Sequence, residues 1–152
     1  MKLLKLSSIA ALAACLLCGN TSAATDTIQS PKEVVIAFYK LALMDFRPKE
    51  AFARYASPDF VEHSADSPGG TAQSTVDFLD DLIKKSPEPK WEIVRVIAEG
   101  DLVFLHVRFT PAKGATPVIV GEIFRVRNGK LAEHWDIIQH APEHPVNPNP
   151  VF

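Results

Sequence analysis

The chain has 152 residues, a formal net charge of −2, 47% hydrophobic and 22% charged residues, enough for one domain with one hydrophobic core and too little for two of ordinary size. Charges of both signs are interspersed, so there is no basic field for nucleic acid. Charge names no macromolecular partner.

At the N-terminus Lys2 and Lys5 precede an apolar run from Leu6 to Cys18, followed by the small residues Ser22, Ala23 and Ala24. This is the layout of a secretory signal peptide. The run is shorter than the roughly 18 to 20 residues that cross a bilayer, so the expectation is a periplasmic or secreted protein with no stable membrane span. Leu12-Ala13-Ala14-Cys15 also resembles a lipoprotein box, which would anchor the chain through Cys15, but the run continues through Leu16 and Leu17 and favours cleavage near Ala24. Cleavage there removes both cysteines, leaving no disulfide, thiol nucleophile or thiolate metal site. Loss of Lys2 and Lys5 takes the formal charge from −2 to about −4. The organisation expected is a signal peptide over 1–24, a linker over 25–30, one domain over 31–140 and a proline-rich tail over 141–152.

Ser30-Pro31-Lys32-Glu33 has the form of a capping box with proline at the first helical position, and Val34, Val35, Phe38, Leu41 and Ala42 follow at helical spacing. A helix is expected from Pro31 to about Asp45. Pro48 opens a shorter one through Ala56, Phe60 to Ser64 is a short extended segment, and Ser67-Pro68-Gly69-Gly70 turns the chain. A third helix starts near Ser74, with acids early and Lys84 and Lys85 late, as the helix dipole favours. From Trp91 the apolar period becomes two, predicting strands at about 91–98, 102–110, 117–126 and 130–139. Helices followed by a meander of strands make an α+β fold with an antiparallel sheet whose buried face includes Val103, Leu105, Val107 and Phe109.

The last hairpin has two possible registers. A two-residue Asn128-Gly129 turn, continued without interruption, sets Glu122 beside Trp135 and sends Asp136 to the other face. A three-residue loop with Gly129 left-handed in a bulge pairs Val126 with Lys130, Glu122 with His134 and Val120 with Asp136. The second is the expectation, because it gathers Val120, Glu122, Phe124, Ala132, His134, Asp136 and Ile138 on one side and Ile119, Ile123, Leu131, Trp135 and Ile137 on the other. A sheet apolar on both faces needs two covers, and the helices supply one. A homodimer through the outer, Trp135-bearing face is the expected second.

Several segments together carry a family resemblance: Tyr55 and Phe60-Val61-Glu62-His63, the Gly69-Gly70 turn, Arg95 to Val103 with His106, Ile123-Phe124-Arg125, and Gly129 to Asp136 with its Glu133-His134-Trp135-Asp136 core and Gln139. They resemble a SnoaL-like group, described as predicted aldol-condensation or polyketide cyclase-like enzymes, of the nuclear transport factor 2-like superfamily. The resemblance implies a cone-shaped curved antiparallel sheet packed over three helices, a cystatin-like α+β barrel, commonly dimeric and working without cofactor or metal. Ketosteroid isomerases of the same superfamily use a general base, an oxyanion tyrosine and a protonated acid, and these places are similar to His63, Tyr39 and Glu122 here. The isomerase base is a carboxylate where this chain has His63. Cyclase members use an acid on a late strand, and Asp136 is its nearest match.

Abstraction of a proton beside a carbonyl needs a base and a donor at the developing oxyanion. His63 and Asp136 are the candidate bases, and Glu122 and Tyr39 the donors. His134, Phe124, Val120, Leu105, Val107 and Ile138 are expected to line the substrate pocket. Each has a plainer reading: His63 as a strand histidine bonded to backbone, Tyr39 as a packing residue, His134 as a structural partner of Asp136. His106 is placed outside the pocket. Two functions follow: an exported enzyme of enolisation-type chemistry (isomerisation, cyclisation or aldol condensation) on a small apolar carbonyl compound, or a non-catalytic periplasmic protein that binds a hydrophobic small molecule.

Overall fold

A computed structural model describes residues 29–142 and 144–152; the expected signal peptide and the Cys15 lipoprotein box lie outside the described residues. Helix α1 (Pro31–Tyr39) starts at the expected capping box, where the Ser30 amide donates to the Glu33 carboxylate at 2.8 Å and the Glu33 amide donates to Ser30 Oγ at 3.3 Å. Its last part, Lys40–Met44, is a π-helix, and Phe46, with φ of 56°, ends it. Helix α2 spans Pro48–Tyr55. Helix α3, Ala72–Lys85, begins two residues before the expected Ser74 because Thr71 is its N-cap and shares a reciprocal box with Ser74.

Strands β1 (Ala56–Glu62), β2 (Lys90–Glu99), β3 (Leu102–Thr110), β4 (Val118–Arg127) and β5 (Lys130–His140) form one open sheet in the order β1-β5-β4-β3-β2. The four later strands are the antiparallel meander read from the sequence. The sheet as a whole is mixed rather than antiparallel, because β1 pairs parallel with β5, setting Glu62 against His134. Helices α1, α2 and α3 cover one face, as the α+β reading expects.

The β4–β5 hairpin takes neither register in full. Its turn is the two-residue Asn128-Gly129 form, both residues left-handed at φ 51° and 72°, with Arg127 paired to Lys130. A bulge follows at once: Val126 pairs with Leu131 but Arg125 with Glu133, so Ala132 is the extra residue in β5. The pairs beyond it are Phe124 with His134, Glu122 with Asp136 and Val120 with Ile138. The expected three-residue loop and its pairs are thus displaced by two residues. A displacement of two preserves the side-chain face, so Glu122, His134 and Asp136 share the inner surface. At the bulge both Leu131 and Ala132 are buried, which moves Leu131 from the outer face, where it was expected, into the core.

The core joins Val34, Val35, Phe38 and Ala42 of the first helix to Ala51 and Phe52 of α2, Val76 of α3 and the inner sheet positions Val103, Leu105, Val107, Val126 and Leu131. Trp91 stacks on its cross-strand partner Phe109 at 4.5 Å. The opposite face carries a row of aligned apolar residues, Ile97, Phe104, Ile123 and Trp135, one from each of β2, β3, β4 and β5.

Candidate functional site

A cavity of about 280 Å³ lies between the inner sheet face and the helices, at the lower end of the range usual for small-molecule pockets. Most of its wall is apolar: Phe38, Leu43, Phe52 and Phe60 on one side, Phe78, Leu79 and Leu82 of α3 on another, and Trp91, Phe109, Val118, Val120 and Phe124 from the sheet. Polar groups gather at one region: Tyr39, Glu62, Ser64, Asp66, Ser67, Thr75, Glu122, His134, Asp136 and His140.

Three strands and one helix place the central network. Alternation along β5 turns His134 and Asp136 inward, β4 supplies Glu122 beside them, and α1 ends at Tyr39. The parallel pairing of β1 brings Glu62 to His134. His134 Nε2 lies 2.7 Å from Glu122 Oε2, and its Nδ1 lies 2.7 Å from Glu62 Oε1. The Tyr39 hydroxyl donates to Glu122 Oε1 at 2.8 Å; the Ser64 amide donates to Glu62 Oε1 at 2.8 Å, and Thr75 Oγ1 reaches Glu62 Oε2 at 3.4 Å. The side chain of Glu62 is 1% exposed and that of Glu122 10%.

Two short contacts from one ring require two protons among three groups. A neutral imidazole between two carboxylates would turn a ring lone pair against carboxylate lone pairs. The network therefore holds an imidazolium and two carboxylates, or the equivalent with one proton moved along a hydrogen bond, and carries a net charge of −1. Burial alone would lower the His134 pKa, but the hydrogen bonds and charges of Glu122 and Glu62 outweigh it and push the ring up to about 10. The Phe124 ring stacks on His134 at 4.6 Å, a placement that suits a cation. Burial, then the Glu122 charge and hydrogen bond, raise the Tyr39 hydroxyl well above its ordinary range.

Asp136 stands beside this network and is not absorbed by it. The Ser64 hydroxyl donates to its Oδ2 at 2.8 Å, and among the described residues no donor meets its other oxygen. Burial raises its pKa, as do the Glu122 and Glu62 charges, against the lowering effects of Ser64 and His134. Ser67 also lines the cavity, and its hydroxyl is buried without a hydrogen-bond partner.

Of the residues singled out from the sequence, Asp136, Glu122, Tyr39, His134, Phe124, Val120 and Ile138 come together at the cavity. His63 does not. Neighbours along a strand face opposite ways, and with Glu62 and Ser64 turned inward His63 points to the outer face, where it stacks on Trp135 at 4.6 Å and meets Glu133 Oε2 at 3.2 Å. Leu105 and Val107 are fully buried in the core and lie behind the cavity wall rather than on it. His106 is outside the cavity as expected, bonded to Arg95 at 2.8 Å and stacked on Phe152. Glu62 and Ser64 were missed. The signal was alternation from the apolar Phe60, which makes Glu62 and Ser64 its same-face neighbours and excludes His63. Among the described residues no three His, Cys, Asp or Glu side chains converge as a metal site, and no helix is long and apolar enough to cross a membrane.

Residues 35–134 match the family model of the SnoaL-like domain. Solved structures of similar fold include IdmH from Streptomyces antibioticus, assigned as a polyketide cyclase, at 18% identity and a TM-score of 0.61, covering 72% of this chain and 92% of that one. AclR from Streptomyces galilaeus, assigned as a hydroxylase, aligns at 22% identity and a TM-score of 0.59 over 72% and 88% of the two chains. A SnoaL-like protein from Jannaschia sp. CCS1, assigned as a polyketide cyclase, aligns at 18% identity and a TM-score of 0.58, over 72% and 89%. No curated protein matches the chain.

Proposed function

Because the chain belongs to the SnoaL-like family, and its fold encloses an apolar cavity in which a half-buried carboxylate, Asp136, keeps one oxygen free, we propose that it is an exported acid/base protein acting on a small apolar carbonyl compound, with Asp136 as the base. The observation that carries this reading is the contrast between Asp136 and its neighbours: Glu62 and Glu122 are held by His134, Tyr39, Ser64 and Thr75, whereas one Asp136 oxygen faces the cavity without a donor.

A bound ketone would give an α-proton to Asp136, and the electron pair left on carbon would delocalise onto the carbonyl oxygen. The Ser67 hydroxyl, buried at the cavity wall without a partner of its own, would donate to that oxygen on turning toward the cavity, and the charge on His134 offsets part of the negative charge that develops. Return of the proton to another carbon isomerises the compound. Attack of the enolate on a second carbonyl closes a carbon–carbon bond, as in cyclisation or aldol condensation. Tyr39 and Glu122 act here as positioning residues for His134 rather than as the oxyanion donors that the resemblance implies.

The test is to purify the native protein, identify the small molecules it retains by mass spectrometry, and follow α-hydrogen exchange of a retained carbonyl compound in D₂O. Exchange with the wild type and none with Asp136→Asn supports the reading. A retained apolar compound that exchanges with neither supports the alternative, a binding protein without turnover, which the family's reuse of one fold for several purposes makes the natural second reading. For the assembly, we propose a homodimer through the Ile97–Phe104–Ile123–Trp135 row, and for the address a periplasmic or secreted one, supported by the sequence of residues 1–24.

A further inference from the structure

The cavity's charge is as specific as its shape. Four carboxylates, Glu62, Asp66, Glu122 and Asp136, line it, while no lysine or arginine does. The histidine in contact with them is His134, and both of its N–H bonds are directed at Glu62 and Glu122. The network around His134 keeps a net charge of −1, so ionised Asp136 brings a second negative charge to the same end of an apolar cavity. An isolated pair of negative charges there is unfavourable, and it is relieved by a proton or by a cation.

A second, independent feature points to a ligand at this place. Ser67 is buried, its hydroxyl has no partner, and it lines the cavity. It sits in the turn closed by the Ser67 amide on the Ser64 carbonyl, and Ser64 is the residue whose hydroxyl holds Asp136. A free carboxylate oxygen and an unsatisfied hydroxyl oxygen are both acceptors for N–H groups. The aromatic walls, Phe38, Phe60, Phe78, Trp91 and Phe124 among them, suit the apolar body of such a ligand and tolerate a cation.

We propose that the cavity selects its ligand by charge, taking a small apolar amine in its protonated form with the ammonium at Asp136 and Ser67, and rejecting carboxylates and phosphates. The proposal rests on the reading of Asp136 as the group that meets the ligand, and concerns the ligand's charge rather than its fate. An apolar compound carrying both an amine and a ketone satisfies both. The titratable groups that line the cavity with Asp136 are Glu62 from β1, Asp66 from the following loop, Glu122 from β4, His134 and His140 from β5 and Tyr39 from α1; α3, β2 and β3 present no titratable side chain to the cavity.

The experiment is calorimetric binding of three probes of one shape, 3-phenylpropylamine, 4-phenyl-2-butanone and 3-phenylpropanoate, to the wild-type protein and to Asp136→Asn. At pH 7.5 the amine should bind at least about tenfold tighter than the ketone, and the carboxylate at least about tenfold weaker, since each tenfold step needs only one modest charge interaction. In Asp136→Asn the advantage of amine over ketone should shrink about tenfold. On wild type alone, amine affinity should fall as pH is lowered and Asp136 takes up a proton, while ketone affinity stays level; this keeps the test decisive if the variant does not fold. Equal affinity for amine and carboxylate, or an amine preference that survives both the substitution and low pH, overturns the proposal. Failure of all three probes to bind overturns it too. Loss of α-hydrogen exchange with the amine preference intact would instead overturn the catalytic reading alone.

Discussion

Removing the Glu62 carboxylate would leave His134 with a single partner in a buried place, and breaking one side of a buried, hydrogen-bonded charge network typically destabilises by about 3–5 kcal/mol. Glu62→Ala should therefore show a loss of that order in denaturant unfolding, and a loss under about 1 kcal/mol would mean that the ring's contact with Glu62 contributes little. The pH dependence has a definite sign. His134 is raised in the fold from an ordinary 6.5 to about 10, so the folded state holds its proton more tightly; the stability this gives is complete below pH 6.5 and is lost as pH rises through 10. Unfolding midpoints should decline across that window, less steeply in His134→Gln; parallel declines in the two proteins would show that the ring is not the source. Asp136 is also raised, but as an acid, so its ionised form is the disfavoured one in the fold. Its stabilising effect exists at low pH and disappears as pH rises above 3.8 through the raised value. Asp136→Asn should accordingly raise the thermal midpoint at pH 7, and a lowered midpoint would assign Asp136 a structural role.

At the scale of elements, the bulge in β5 decides which side chains enter the cavity. Ala132 is the single extra residue between the turn and the site, and the side-chain period of a strand is two. Continued in the register of its two-residue turn, this sequence would carry His134 and Asp136 to the outer face; deleting Ala132 instead closes the bulge into a regular ladder with the same pairs, Phe124 with His134 and Glu122 with Asp136, so the site keeps its face. The expected outcome is a folded deletion variant that still binds ligand; loss of the cooperative thermal transition would mean that the geometry of the bulge itself, and not side-chain parity, holds the strand. The same parity explains His63. Strand β1 enters the sheet with Phe60 inward, and every second residue follows it, which makes Glu62 and Ser64 cavity residues and gives His63 to Trp135.

For the molecule as a whole, the open question of a second cover belongs to the outer sheet face. Ile97 is 63% exposed and Ile137 64% exposed, beside the apolar row that crosses four strands. Their side chains lie outside the core, so charging them leaves the fold intact. The wild-type chain without residues 1–24 should sediment as a dimer and its Ile97→Glu, Ile137→Glu double variant as a monomer with an unchanged thermal midpoint. A monomeric wild type would remove the dimer and leave the row as exposed surface.

Local chemistry made much of this legible in advance. The Ser30 end of helix α1, the change of period at Trp91 and the four-strand meander each depend on residues close in sequence, so the capping box, turns and alternation specify them without reference to the rest of the chain. The shared inner face of Glu122, His134 and Asp136 was legible too, since a displacement of two residues leaves a strand's faces unchanged. Only the tertiary structure decided the partner of β1 and the position of the bulge. Parallel pairing of β1 with β5 is a contact across about seventy residues, set by how the helices and sheet close on the core, and the separation of Glu62 from His134 in sequence gives no local sign of it. That pairing turns an ordinary acid in a short strand into one side of a buried imidazolium clamp. It also leaves Asp136 half-buried beside that clamp with an oxygen to spare.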